Sequence, residues 1–175
     1  ILERTKEPEV LLHLGLEDDH YLHEKGLITK REVRAVGLSL MEIEPGHTVW
    51  DLGAGCGSVA IEASLLAFRG RILAVERDPA RARLIRRNVR RTGAYLVEVI
   101  EAELPGCLNS LPEPDRIFVG GGLGRDPGVL ADALERLRPG GRAVLHLVLL
   151  GSLEKAGRLL RDWGWPHGTT QVQIS

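Results

Sequence analysis

The chain has 175 residues and a mass of 19.2 kDa, is 43% apolar, and carries 23 basic against 24 acidic side chains. That length suits one domain with one sizeable core, and no stretch approaches the ~18 uninterrupted apolar residues of a membrane helix. Cys56 and Cys107 fit neither a disulfide framework nor a Cys/His metal pattern, so a reducing cytoplasm is the expected compartment.

The chain opens Ile1-Leu2-Glu3-Arg4 without an initiator methionine, a signal core or transit character. This reads as a domain cut from a longer protein, with an extension over 1–28 and the domain proper over 29–175. His20 and His23 stand in a loop-like stretch without further ligands, so no metal is expected. Thr29-Lys30-Arg31-Glu32 has the spacing of a capping box and predicts a helix over 30–41. Pro45-Gly46 turns the chain into a strand at 47–52, glycines 53, 55 and 57 follow, and 58–68 reads as a helix. A strand at 71–76 leads to Asp78-Pro79, an N-cap followed by a proline suited to the first helical position. That helix reaches about 91 and buries Ala82, Ile85 and Val89. Strands at 97–100 and 116–119, a helix from Asp126-Pro127 through 137, a strand at 142–148, a helix at 152–163 and a strand at 169–174 complete the order.

Period-two runs alternating with period-3.6 runs predict an α/β fold: one mostly parallel central sheet with helices on both faces. In such sheets ligands bind beyond the carboxyl ends of the strands. The clusters at 51–57, 76–78, 101–104 and 120–124 all fall at such ends.

Asp51-Leu52-Gly53-Ala54-Gly55-Cys56-Gly57 joins a strand to a helix, where missing side chains let a ligand lie against backbone. A dinucleotide fingerprint needs its third glycine at the position of Ser58, and here it comes at Gly57. An acid two residues before the first glycine also repels a pyrophosphate, whereas it suits a sulfonium or an ammonium. Glu76 ends the second strand 23 residues after Gly53, where a carboxylate accepts hydrogen bonds from a ribose diol. Between 69 and 92 the chain carries nine arginines against Glu76 and Asp78. Such a stripe is either a polyanion footprint or a solvated helix face, and the charge pattern favours the solvated face.

In this order the residues resemble a class I S-adenosylmethionine-dependent methyltransferase. Gly15-Leu16-Glu17-Asp18-Asp19, Leu27-Ile28-Thr29-Lys30-Arg31-Glu32-Val33-Arg34, Trp50 through Glu62 and Val119-Gly120-Gly121-Gly122 narrow the resemblance. They are similar to the decarboxylating precorrin C15-methyltransferases of cobalamin biosynthesis, over about 15–174. That family is either free-standing or the C-terminal half of a bifunctional precorrin-6Y C5,15-methyltransferase. The resemblance implies a Rossmann-like class I fold and S-adenosylmethionine as the donor. Thr29 and the backbone of Gly53, Ala54, Gly55, Cys56 and Gly57 would hold the methionine end, Glu76 the ribose and Leu104 the adenine. It further implies a precorrin acceptor methylated at C15 with decarboxylation of its C12 acetate, no nucleic-acid or membrane partner, and a homo-oligomer, often a tetramer.

The acceptor's carboxylates call for arginine forks. Arg125 is the first candidate, with Arg31 and Arg34 behind it, while Gly121 and Gly122 would let the macrocycle approach closely. His146 is the one candidate proton donor, and no other catalytic group is assigned. Where the family often reads Asn-Ala-Val-Thr-Leu-Glu, this chain has His146-Leu147-Val148-Leu149-Leu150-Gly151. The family's final antiparallel strand would lie beyond Ser175, so the sheet is expected one strand short. Two other readings remain open: an RNA (tRNA) methyltransferase using the arginines at 81–91, and a nucleotide-binding module without chemistry. Near-neutral charge and few aromatics weigh against RNA. Trp163 and Trp165 read either as interface anchors or as core.

Overall fold

The computed structural model describes residues 7–120 and 127–174. Its strands are β1 (Thr48–Leu52), β2 (Arg71–Glu76), β3 (Val97–Glu101), β4 (Arg116–Val119) and β5 (Arg142–Leu145). They form one sheet in the order β3-β2-β1-β4-β5, with every neighbouring pair parallel. Parallel neighbours need crossover connections. Accordingly α2 (Ser58–Leu66) links β1 to β2, α3 (Pro79–Thr92) links β2 to β3, and α4 (Pro127–Glu135) links β4 to β5. Helix α1 (Arg31–Met41) precedes the sheet and α5 (Leu150–Asp162) follows it. Strand order reverses between β1 and β4, which opens a crevice at their carboxyl ends.

All five residues of β1 are buried, as a central strand covered on both faces requires. Alternation along the strands sorts the core into two layers. Val49, Ile72 and Phe118 join Leu38, Ile61 and Ile85 from α1, α2 and α3. Trp50, Leu73 and Ile117 face the other way, onto Leu108, Leu111, Leu130 and Leu134. Residues before α1 contribute to the first layer through Val10, Leu16 and Tyr21. Among the described residues, no helix is long and apolar enough to cross a membrane.

Three local expectations are corrected. Helix α1 starts at Arg31 behind Lys30, which makes no side-chain cap bond, so the Thr29 capping box does not form. The Thr29 carbonyl accepts from Arg34 Nη1 at 2.6 Å. The fifth strand ends at Leu145 rather than 148. Residues 169–174 form no strand, because a period-two pattern defines a face and becomes a strand only with a neighbour to bond.

Candidate functional site

The loop after β1 is built on backbone geometry. Gly53, Gly55 and Gly57 have φ of 73°, 59° and 82°, the left-handed region in which a side chain is strained. The N–H groups of Gly53 and Ala54 both donate to the Val75 carbonyl at 3.0 Å, which hangs the loop from the end of β2. A Cβ on Gly53 or Gly55 would meet nothing within 4 Å, so bare backbone faces open space there. On Gly57 it would lie 2.7 Å from Ile85 Cγ2. The loop is therefore open above and floored by α3 below.

Two buried carboxylates flank it. Asp51 is 2% exposed, and its Oδ2 accepts the N–H of Ala60 at 3.1 Å, satisfying one of the amides left over at the start of α2. Burial pushes its carboxyl up to about 7; the Ala60 bond opposes this and the nearby Glu76 adds to it. Glu76 is 5% exposed; its Oε2 accepts from Gly55 N–H at 2.9 Å and its Oε1 from Asp78 N–H at 3.0 Å. Each of those oxygens keeps a lone pair for a further donor. Such a pair repels a pyrophosphate and suits a cationic group together with hydroxyl donors, which is the chemistry of a sulfonium nucleoside.

The remaining site residues separate into distinct surroundings. Cys56 is buried and burial raises its thiol, so it is protonated and no nucleophile. Leu104 is partly buried against the second core layer beyond the end of β3. Arg31 sits at the start of α1, half exposed, with its guanidinium on Glu17 and Glu32. His146 follows β5, with its backbone N–H on the Val119 carbonyl at 2.9 Å, and burial lowers the pKa of its ring, favouring the neutral form. Gly121, Gly122 and Arg125 lie outside the described residues.

Arg34 is corrected from substrate clamp to internal tie. It is fully buried, with Nε on Glu62 at 2.6 Å, Nη1 on Asp18 at 3.2 Å and on the Thr29 carbonyl, and Nη2 on the Leu16 carbonyl. The Tyr21 ring lies 5.0 Å from its guanidinium carbon, and Glu62 also accepts from Tyr21 Oη and Gly15 N–H. All three of its nitrogens are engaged within the fold.

Five of the nine arginines of the stripe are in ion pairs. Arg71, Arg77, Arg81, Arg86 and Arg91 meet Glu98, Glu103, Glu24, Glu101 and Glu9 respectively, and Arg69 stacks over Phe68. This is a solvated outer face whose charge is answered in part by carboxylates on and just after β3 and in the N-terminal segment, which weakens the RNA reading. Among the described residues no group of three or more His, Cys, Asp or Glu is placed to hold a metal, and His23 accepts from Gly26 N–H instead. Sequence reasoning passed over Asn88, a buried amide on the apolar stripe of α3. A polar residue between Ile85 and Val89 was the signal available.

Comparison with known proteins bears on this geometry. Residues 19–174 match a family model described as a precorrin methyltransferase domain. A precorrin-6Y C(5,15)-methyltransferase [decarboxylating] from Sinorhizobium sp is 43% identical over 131 residues, 75% of this chain and 32% of that protein. A protein of Sulfolobus acidocaldarius named "Probable cobalt-precorrin-6B C(15)-methyltransferase (decarboxylating)" is 35% identical over 164 residues, 92% of this chain and 85% of that one. The crystal structure of a precorrin-6Y C5,15-methyltransferase from Geobacter metallireducens superposes with a TM-score of 0.83 at 43% identity, covering 86% of this chain and 81% of that one.

Proposed function

The chain belongs to the precorrin methyltransferase family, and on that premise we propose that it is an S-adenosylmethionine-dependent C-methyltransferase of cobalamin biosynthesis. It methylates C15 of a precorrin while the C12 acetate loses carbon dioxide. The chain spans about a third of the Sinorhizobium relative and most of the Sulfolobus one. The reaction assigned is therefore the C15 step, and the C5 methylation named for the longer protein is not carried over. In this reading residues 29–175 are the methyltransferase domain and 1–28 its N-terminal extension.

Bound S-adenosylmethionine supplies a methyl group already activated by its sulfonium, so the protein's task is alignment and the exclusion of water rather than base catalysis. Glu76 orients the ribose through the lone pairs left on its two oxygens, and Asp51 places negative charge beside the cationic end. Gly53, Ala54, Gly55, Cys56 and Gly57 present backbone to the methionine part, Thr29 closes that end, and Leu104 supports the adenine. Arg31 and Arg125 are assigned to the carboxylates of the acceptor, with Gly121 and Gly122 giving the macrocycle room. A homo-oligomer in the cytoplasm completes the reading; the exposed Val148, Leu149 and Trp163 are in keeping with self-association, and the two free cysteines with a reducing compartment.

The observation that carries the donor half is the pair of buried carboxylates, Asp51 and Glu76, beside a glycine loop with open space over Gly53 and Gly55. The test is incubation with S-adenosylmethionine and a decarboxylation-competent precorrin, followed by mass analysis. A product that has gained one methyl and lost one carbon dioxide supports the reading. Methyl transfer to tRNA in place of the precorrin would overturn it.

A further inference from the structure

Asn88 is 1% exposed and uses its carboxamide on two segments far apart in sequence. Its Nδ2 donates to the Cys56 carbonyl at 2.9 Å and to the Leu22 carbonyl at 2.9 Å, while its Oδ1 accepts the Leu22 N–H at 2.8 Å. The Cys56–Gly57 peptide is thereby held at both ends, because the Gly57 N–H donates to the Ala54 carbonyl at 2.8 Å. Leu22 is bonded through both of its backbone groups, as a strand partner would be. Ile85, Asn88 and Arg81 share one face of α3 by their spacing of three and four residues. Ile85 floors the loop at Gly57, Asn88 bonds it, and Arg81 pairs with Glu24 at 3.2 Å.

From this sharing we infer that Asn88 is a positioning residue for the donor site, through which docking of the segment around Leu22 and binding of the donor are coupled. The inference rests on the reading of 51–57 as the donor loop. The physical basis is that one side chain has two clients. If the 56–57 peptide rotates, Nδ2 loses an acceptor and the carboxamide is free to turn, which loosens its hold on Leu22. If Leu22 lifts away, two of the three bonds that orient the carboxamide are gone and the loop peptide loses its anchor. A ligand that fixes the loop therefore steadies the segment, and by linkage the docked segment favours the ligand to the same degree.

Amide hydrogen exchange and calorimetry with S-adenosylhomocysteine test the coupling on the whole chain. In the wild type the ligand is expected to slow exchange both at 53–60 and at Leu22. Asn88→Asp keeps the volume and the acceptor for Leu22 N–H but turns an oxygen toward two carbonyls, and it should weaken the ligand about tenfold or more. Asn88→Ala should do likewise and abolish the ligand-induced slowing at Leu22. Thr92→Ala serves as the control, since it removes a buried hydroxyl bond to the Asn88 backbone carbonyl and leaves the carboxamide and its three bonds in place; its affinity should stay within about twofold of wild type, the difference expected when only a neutral hydrogen bond away from the ligand is lost. The coupling is refuted if the Asn88 and Thr92 variants lose affinity equally, or if wild-type Leu22 ignores the ligand while 53–60 responds. Failure of the donor-loop reading gives a different pattern, with no response at 53–60 in the wild type and Glu76→Ala binding normally.

Discussion

The backbone N–H of Gly55 donates to Oε2 of Glu76 at 2.9 Å, while Oε1 of the same carboxylate takes the N–H of Asp78 at 3.0 Å. One side chain thus fixes the middle glycine of the loop and the residue that caps α3, and each oxygen keeps a lone pair for a further donor. Glu76→Ala is expected to weaken S-adenosylhomocysteine binding by about 1–3 kcal/mol, the cost of leaving buried donors unpaired. Glu76→Gln should fall between, because one of the two amides then meets an NH2 group. Calorimetry reads both, and unchanged affinity in the alanine variant would remove the ribose from this strand end.

Asp51 gives the site a pH dependence of known sign. Its carboxyl rises from an ordinary 3.8 to about 7 in the fold, chiefly through burial. Between those values the folded state holds a proton that the unfolded chain has lost. Its contribution to stability is therefore complete below about 3.8, falls as pH rises, and is gone above about 7. A cationic ligand prefers the ionised form, so donor affinity should climb with pH through the neutral region and level off above it. Asp51→Asn keeps an oxygen for Ala60 N–H and should flatten that rise. Titration calorimetry between about pH 5.5 and 8.5 would show whether the slope belongs to this group.

The parts of the site that a reader of the sequence can find are those whose cause is local. Gly53, Gly55 and Gly57 are glycines because their own φ values demand it, and Asp78-Pro79 starts α3 because its side chain reaches Ala80 N–H two residues on. The misreadings of Arg34 and Asn88 involve partners distant along the chain. Arg34 looks like a free fork until Glu62, 28 residues later, closes on it. Thr29 has the spacing of a capping box, yet α1 starts one residue later, behind Lys30, and the box does not form. Asn88 is visible as a polar residue on an apolar stripe, but nothing in its neighbourhood names Cys56 or Leu22. The pattern at 169–174 is genuine alternation, yet alternation does not supply a neighbouring strand.

Gly120 marks where β4 meets the loop. Its N–H donates to the Leu52 carbonyl at 2.9 Å, and a Cβ there would stand 2.8 Å from the Gly53 carbonyl oxygen and 3.4 Å from that of Leu52. Both obstacles are backbone and cannot rotate away. Gly120→Ala is expected to cost about 1–3 kcal/mol of stability and to reduce donor affinity, since the relief runs through Gly53. Gly46→Ala, where nothing lies within 4 Å of the added carbon, is the control that should leave donor affinity intact. Thermal melts with parallel calorimetry separate the two effects, and a Gly120→Ala protein that binds normally would show the loop to be indifferent to β4.

Arg34 and Arg31 lie three residues apart on α1 and should respond in opposite ways. Arg34 is enclosed with Glu62, and the pair carries Gly15, Leu16, Asp18 and Tyr21 with it. Arg34→Met leaves the Glu62 charge buried without its cation, which typically costs about 3–5 kcal/mol. Adding Glu62→Gln should return part of that loss, because the uncompensated charge is gone, although the Gly15 and Tyr21 donors still need their acceptor. A coupling of about 0.5–3 kcal/mol in the double-mutant cycle is expected. Arg31 is half exposed on Glu17 and Glu32, so Arg31→Ala should leave the melting temperature alone and raise KM for the carboxylate-rich acceptor with little change in KM for the donor. If Arg34→Met instead spared the melting temperature and raised only the acceptor's KM, the fork would have to open toward substrate, and the internal tie described above would be wrong.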